Sequence, residues 1–156
     1  MGRQRGFTLL ELMVVSAIVG ILFATAMPLY HTWTQRAYGT EAALMMKQIM
    51  DGEIMYFLAH DEFFPEGTGT SYSVSSDGTA NPGDAFTRIK EALKVAIPTG
   101  HYLDYTIQNS GSFCVVQIDA PFPLFKNDQR YLYAVIDTEG KVQYVSLAEL
   151  AALLGG

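Results

Sequence analysis

The chain has 156 residues, a formal net charge of −6 at pH 7, and 49% hydrophobic residues against 17% charged residues. That length suits one domain with an extra segment rather than two full domains, and the charged fraction is below the roughly 25% usual for soluble domains. The single cysteine excludes a disulfide scaffold within the chain, and the acidic balance argues against nucleic acid as the main partner.

The N-terminal segment joins a short basic start to a long apolar run. Arg3 and Arg5 precede Phe7–Tyr30, in which Glu11 is the single charged residue. About 20 apolar residues span the hydrocarbon core of a bilayer, so residues 7–33 are predicted to form a transmembrane helix with a cytoplasmic N-terminus. An acid at the bilayer centre costs about 2.5–3.5 kcal/mol, which indicates that Glu11 faces a partner.

Two simpler hypotheses also account for an apolar N-terminus. A cleaved secretory signal would have its cleavage site at Ala24-Thr25-Ala26, but Glu11 would then lie inside the apolar region of that signal. A plain membrane anchor explains the apolar run and the basic start, yet gives no reason for the position of Glu11.

The junction at Gly6-Phe7, followed by Thr8-Leu9-Leu10-Glu11, resembles the class III signal of type IV pilins and pseudopilins. The resemblance implies that a prepilin peptidase removes residues 1–6 as a leader and methylates the new amine of Phe7. It also implies that Glu11, fifth in the mature chain, serves assembly.

Charge pairing gives the implied assembly role a physical basis. A carboxylate and an amine are costly in an apolar filament core unless they are paired, so Glu11 of one subunit is expected to meet the Phe7 amine of a shifted neighbour. A contact between Phe7 and Glu11 within one chain is the alternative. Gly20 and Pro28 match the helix-weakening positions of the family, and both residue types weaken helix interiors.

A single long helix is predicted over residues 7–58, with Gly52 as a soft point. Its first half is expected to form the transmembrane or filament core, while its second half packs on a globular domain comprising residues 34–156. The packing face is a helically spaced apolar stripe, in which methionines are expected to fill the core rather than bind copper. These methionines are Met45, Met46, Met50 and Met55.

The remainder is predicted to complete an α+β fold with a four-stranded antiparallel sheet. Residues 66–84 are rich in Gly, Ser, Thr and Asp and are predicted to be an exposed loop. A short helix should start near Asn81-Pro82 and end at Pro98. A capping box at Ser146–Glu149 predicts a C-terminal helix reaching Leu154. The predicted strands are Tyr102–Gln108, Ser112–Asp119, Arg130–Asp137 and Lys141–Val145.

No motif for catalysis is found, so no enzyme activity, cofactor or metal is predicted. Loop acids could in principle cage calcium, as in some pseudopilins, but solvated acids are the simpler interpretation. Cys114 is expected to be a small buried hydrophobic residue in a strand. The acids in question are Asp77, Asp84, Asp119, Asp128 and Asp137.

The resemblance implies a structural subunit that is held in the inner membrane before assembly. It then polymerises through its N-terminal helix into a helical homo-oligomer. Its implied partners are the prepilin peptidase and the pilus or secretion assembly machinery. It would lie in an extracellular filament, or in a periplasmic pseudopilus if it is a type II secretion pseudopilin. A membrane-anchored binding domain that does not assemble is the alternative from another class.

Overall fold

The computed structural model describes residues 7–77, 84–98, 100–125 and 128–154. Three helices and five strands occur in these ranges. The chain divides into two units, one up to Ala37 and one from Tyr38 onward. The elements are α1 (Leu9–His60), β1 (Ser71–Val74), α2 (Ala85–Leu93), β2 (Asp104–Asn109), β3 (Phe113–Asp119), β4 (Tyr131–Asp137), β5 (Val142–Val145) and α3 (Leu147–Leu154).

The core of the second unit lies between α1 and one face of the sheet. The α1 side consists of apolar residues spaced three and four apart, as a helix that buries one face requires. Alternate residues of β2, β3 and β4 form the opposing side, because side chains alternate between the two faces of a strand. The cluster includes Met45, Met46, Ile49, Met50, Ile107, Cys114, Val116, Ile118, Ala134 and Ile136.

This packing confirms the predicted roles of three methionines and of the cysteine. Met45, Met46 and Met50 are buried in the core, and Cys114 is buried in β3. The prediction was wrong for Met55, whose side chain is 68% exposed. Met55 lies on the solvent side of α1 because Gly52, Glu53 and Tyr56 occupy the buried side of that turn.

The sheet has five antiparallel strands in the order β1-β2-β3-β4-β5, one more than predicted. The additional strand, β1, lies within residues 66–84, which were wrongly predicted to be loop throughout. Its four residues pair with β2, Ser71 opposite Gln108 and Val74 opposite Tyr105. Only Val74 of β1 is fully buried, so a short edge strand carries little of the apolar alternation that predicts a strand.

Helix α2 is shorter than predicted. It ends at Leu93, where Lys94 adopts a left-handed conformation with φ of 58°, instead of continuing to Pro98. Val95 and Ile97 are still buried, so their apolar side chains enter the core from a segment outside the helix. The predicted helix start at Asn81-Pro82 lies outside the described residues.

The C-terminal helix covers part of the other sheet face. The predicted capping box is confirmed, since the Ser146 amide donates to Glu149 Oε2 at 2.7 Å and the Ser146 hydroxyl donates to it at 2.8 Å. These hydrogen bonds, the amide first, hold the pKa of Glu149 below its usual range. Leu150 is buried with Val115, Tyr133 and Val135 in a small second cluster.

Gly52 allows α1 to approach the end of α2 closely. A Cβ at this position would lie 2.6 Å from the carbonyl oxygen and 2.9 Å from the Cβ of Leu93. Gly52 is buried in this contact, a packing role that was not predicted from the sequence, and its weakening of the helix stays a prediction. The missing side chain allows close packing between two helices.

The variant Gly52→Ala is expected to lower the free energy of unfolding by roughly 1–2 kcal/mol. Overpacking against backbone costs about 1–3 kcal/mol, and the better helix propensity of Ala returns up to about 1 kcal/mol. Gly20→Ala is the matched control, because nothing lies within 4 Å of a Cβ at Gly20. Urea unfolding of the full chain in detergent, followed by circular dichroism, should show loss of stability only for Gly52→Ala. Equal stability of the two variants would contradict the packing role.

Candidate assembly site

The N-terminus of α1 is organised around Thr8 and Glu11. The Glu11 amide donates to Thr8 Oγ1 at 3.2 Å, and the Thr8 amide and hydroxyl each donate to Glu11 Oε2 at 3.4 Å. This reciprocal arrangement is a capping box, which satisfies amides that the first turn of a helix leaves without partners. The carboxylate also lies at the helix end where the helix dipole favours negative charge.

Glu11 was predicted from the sequence to be a site residue, but Thr8 was not. The pattern of Thr or Ser followed three residues later by Glu, before an apolar run, is the sequence signal that could have identified Thr8. The Glu11 carboxylate accepts hydrogen bonds from Thr8 of the same chain. Both residues are exposed, as is Phe7, so all three are accessible to a second molecule.

The first unit presents an apolar helical surface on all sides. Its large apolar side chains are exposed along the whole segment: Phe7 at one end is 75% exposed and Trp33 at the other is 67% exposed. An 18-residue window of α1 has a mean hydropathy of 2.3 and none of it is buried, so by length and composition this helix could cross a membrane. A surface this large and apolar marks a site of contact with lipid or protein.

Hydroxyl side chains in this surface are satisfied by the helix itself. Ser16 donates to the carbonyl of Leu12 at 2.9 Å, Thr25 to that of Leu22 at 2.9 Å, and Thr32 to that of Pro28 at 3.0 Å. A polar group in an apolar medium is costly unless it is hydrogen-bonded. These bonds therefore let the helix carry hydroxyls into a bilayer or a filament core.

The two residues predicted to weaken the helix lie inside it. α1 continues through Gly20 and Pro28. Pro28 supplies no amide for the carbonyl four residues earlier, that of Ala24, and a Cβ added to Gly20 would have open space around it. Both positions remain predicted points of weakness. Ala24-Thr25-Ala26, the cleavage site of the secretory-signal hypothesis, is helical.

The other residues singled out from the sequence are Gly6 and the acids considered as calcium ligands. Gly6, on the leader side of the predicted cleavage, lies outside the described residues. Asp84 pairs with Arg88 at 2.7 Å, and Asp137 accepts hydrogen bonds from the Glu139 and Lys141 amides. In residues 7–77, 84–98, 100–125 and 128–154, no group of three or more His, Cys, Asp or Glu side chains is arranged to hold a metal ion.

Comparison with known proteins finds a described motif at this N-terminus and several relatives. Residues 1–27 match the prokaryotic N-terminal methylation motif. The chain is 43% identical over 74 residues to a fimbrial protein of Neisseria meningitidis serogroup B, covering 47% of this chain and 44% of the relative. It is 41% identical over 87 residues to the type IV major pilin protein PilE1 of Neisseria gonorrhoeae, covering 56% of this chain and 47% of the relative.

A third relative comes from a different genus. The type IV major pilin protein PilA of Myxococcus xanthus is 39% identical over 61 residues, which cover 39% of this chain and 28% of the relative. The chain spans less than half the length of these curated relatives. Together with the motif, these matches show that part of this chain is similar to type IV pilins.

Proposed function

We propose that this chain is a structural subunit of a type IV pilus-like filament and not an enzyme. The observation that carries the proposal is an unburied, membrane-length apolar helix that begins within a methylation motif. The relatives named as pilins and fimbrial protein support a pilus rather than a type II secretion pseudopilus. A tether that does not assemble could use Glu11 as a helix cap, but it would have no second copy for the Glu11 charge to meet.

The same helix would serve the subunit in two environments. Before assembly it anchors the precursor in the inner membrane, with Arg3 and Arg5 on the cytoplasmic side. After cleavage it leaves the bilayer for the filament core, where helices of other copies replace lipid around it. The filament is then extracellular, and the prepilin peptidase and the pilus assembly machinery are the partners this sequence of events requires.

Cleavage after Gly6 would create the second charge of the assembly site. It removes both leader arginines and leaves a positive amine on Phe7. In a neighbouring copy shifted along the filament axis, that amine is the countercharge for Glu11. Because both charges are buried in the assembled core, pairing them favours one axial register over others.

The mature protein is expected to begin at Phe7 with a methylated amine, and Gly6→Val is expected to block this processing nearly completely. A branched side chain would crowd the bond to be cut. Gly2→Val is the matched control, since it makes the same change in the leader away from the junction. Mass spectrometry of the N-terminal peptide measures the outcome.

Each rival hypothesis predicts a different N-terminus in that measurement. A mature start at Met27 would contradict the proposal and support a secretory signal cut after Ala26. A start at Met1 or Gly2 in the wild type would support a plain membrane anchor.

A further inference from the structure

Three buried polar side chains converge on a short segment that follows α1. This segment, Phe63–Pro65, is called the strap. Glu53 Oε2 accepts a hydrogen bond from the Phe64 amide at 3.1 Å. Asn109 Nδ2 donates to the carbonyl oxygens of Phe63 at 2.8 Å and of Pro65 at 2.9 Å. The Cys114 thiol donates a long, weak hydrogen bond to the Phe64 carbonyl at 3.8 Å.

The three side chains come from three different elements of the core. Glu53 lies on α1, Asn109 on β2 and Cys114 on β3. Glu53 and Cys114 are 0% exposed and Asn109 is 1% exposed. Buried backbone polar groups must be paired, and here side chains rather than a neighbouring strand pair those of the strap. The strap is thus held to the helix and the sheet at once.

Glu53 has an oxygen atom that the strap does not use. In the described part of the chain, Glu53 Oε1 is buried without a hydrogen-bond partner. An ionised carboxylate in that position would be costly, because a buried charge needs pairing and hydrogen bonds. Burial raises the pKa of Glu53 to about 8, while the hydrogen bond from Phe64 opposes the rise. The carboxyl is therefore neutral at pH 7.

The other titratable groups that interact with Glu53 do not change charge in the pH range in which Glu53 does. Burial raises the pKa of the Cys114 thiol on β3 well above its usual value. Burial, followed by the hydrogen bond to Glu66, raises the pKa of Tyr56 on α1 to about 12. Its β2 neighbour in the cluster, Asn109, does not titrate. Between pH 5 and 8 the change of protonation at this cluster belongs to Glu53.

We propose that Glu53, Asn109 and Cys114 form a latch that fastens the strap to the core. The closed state of the strap becomes less favoured over the open state as pH rises from acidic to mildly alkaline. The proton of Glu53 resides on Oε1, since Oε2 accepts the Phe64 amide. Losing it to water leaves a buried negative charge with one hydrogen bond. Opening the strap gives that charge access to solvent.

The direction and range follow from the two protonation equilibria. With the strap closed, Glu53 holds its proton up to about pH 8, and with the strap open it loses the proton near the ordinary value of 4.5. Below 4.5 both states keep the proton, and above 8 both have lost it. Between these values, each pH unit favours the open state about tenfold.

The test uses the full chain in detergent micelles. Hydrogen exchange at the Phe64 amide is measured by NMR from pH 5 to 8, corrected for the intrinsic exchange rate. We expect protection to fall about tenfold per pH unit in the wild type and to stay level in Glu53→Gln, whose amide oxygen can still accept from Phe64. The control Glu91→Gln, an exposed residue on α2, should behave as the wild type.

Two further measurements keep the proposal open to refutation. The carboxyl carbon of Glu53 should titrate near pH 8 in the wild type, and this measurement needs no variant to fold. Asn109→Ala should lower Phe64 protection equally at every pH, because an amide does not titrate. A Glu53 midpoint near 4.5, or the same pH dependence in the wild type and Glu53→Gln, would overturn the latch.

Discussion

A chain that begins at Thr34 is expected to fold, stay monomeric, and lose filament formation entirely. The buried residues of α1 begin at Gly39, so the core of the second unit loses none of its own side chains. Removing Phe7–Trp33 deletes the extended apolar surface that needs lipid or other copies around it. Light scattering after gel filtration would measure the mass, and circular dichroism would report the fold.

The exposed apolar residues that remain in the truncated chain do not change this expectation. Leu44, Met55 and Leu58 are exposed on α1, and individually exposed apolar side chains are normal on soluble proteins. The full-length chain, assembled in parallel, is the control. Filaments formed by the truncated chain would show that the second unit can polymerise alone, which would refute assembly through the N-terminal helix.

Much of this fold could be predicted because its patterns are strong and local. The stripe on α1 and the alternation in β2, β3 and β4 each repeat over several residues, and the turns between the strands carry Gly, Asn and Asp. β1 could not be found in the same way. Three of its four residues are Ser, Tyr and Ser, and its place in the sheet depends on pairing with β2, which is distant in sequence.

The latch shows a second limit of sequence patterns. Glu53 lies two residues after Asp51 on α1, and nothing in the sequence shows that Glu53 is buried while Asp51 is exposed. Its burial depends on the Phe64 amide and on an approach to β3, contacts that form only when the chain is folded. The packing role of Gly52 was missed for the same reason, since its partner Leu93 is far along the chain.

The residues of the proposed assembly site were predicted from sequence except for Thr8, whereas the geometry of the site was not. The motif at Gly6-Phe7 and the position of Glu11 predict such a site from sequence alone. The hydrogen bonds between Thr8 and Glu11 explain how the carboxylate is held at the start of α1. The pairing of Glu11 with a neighbour's Phe7 amine involves two copies, and it remains a prediction for experiment.

Replacing Glu11 with Gln is expected to leave membrane insertion intact or improved and to reduce filament yield by a large factor. Gln is cheaper to bury than a carboxylate, so the precursor should enter the membrane at least as well. In the filament, the Phe7 amine of the neighbour would lose its countercharge. Breaking a buried ion pair costs about 3–5 kcal/mol, and this cost would recur with every subunit added.

The capping box makes Glu11→Gln an unusually selective change. A Gln at this position can still accept from Thr8, because capping boxes use Glu or Gln, so the helix start is preserved while the charge is removed. Thr8→Ala makes the opposite change, since it removes the capping hydroxyl, at about 0.5–2 kcal/mol, and keeps the charge. Comparing membrane-bound and filament-bound protein for both variants separates the two roles of Glu11.

The two possible roles of Glu11, pairing between subunits and helix capping, predict opposite outcomes for the two variants. If Glu11 sets the register between subunits, Glu11→Gln loses filaments and Thr8→Ala keeps most of them. If Glu11 acts only as a helix cap, Thr8→Ala is the more damaging change and Glu11→Gln assembles normally. Equal filament yield in Glu11→Gln and the wild type would exclude the inter-subunit pair. A loss of membrane-bound protein alone would assign Glu11 to insertion or processing instead, because a charge that acts between subunits has no partner before assembly begins.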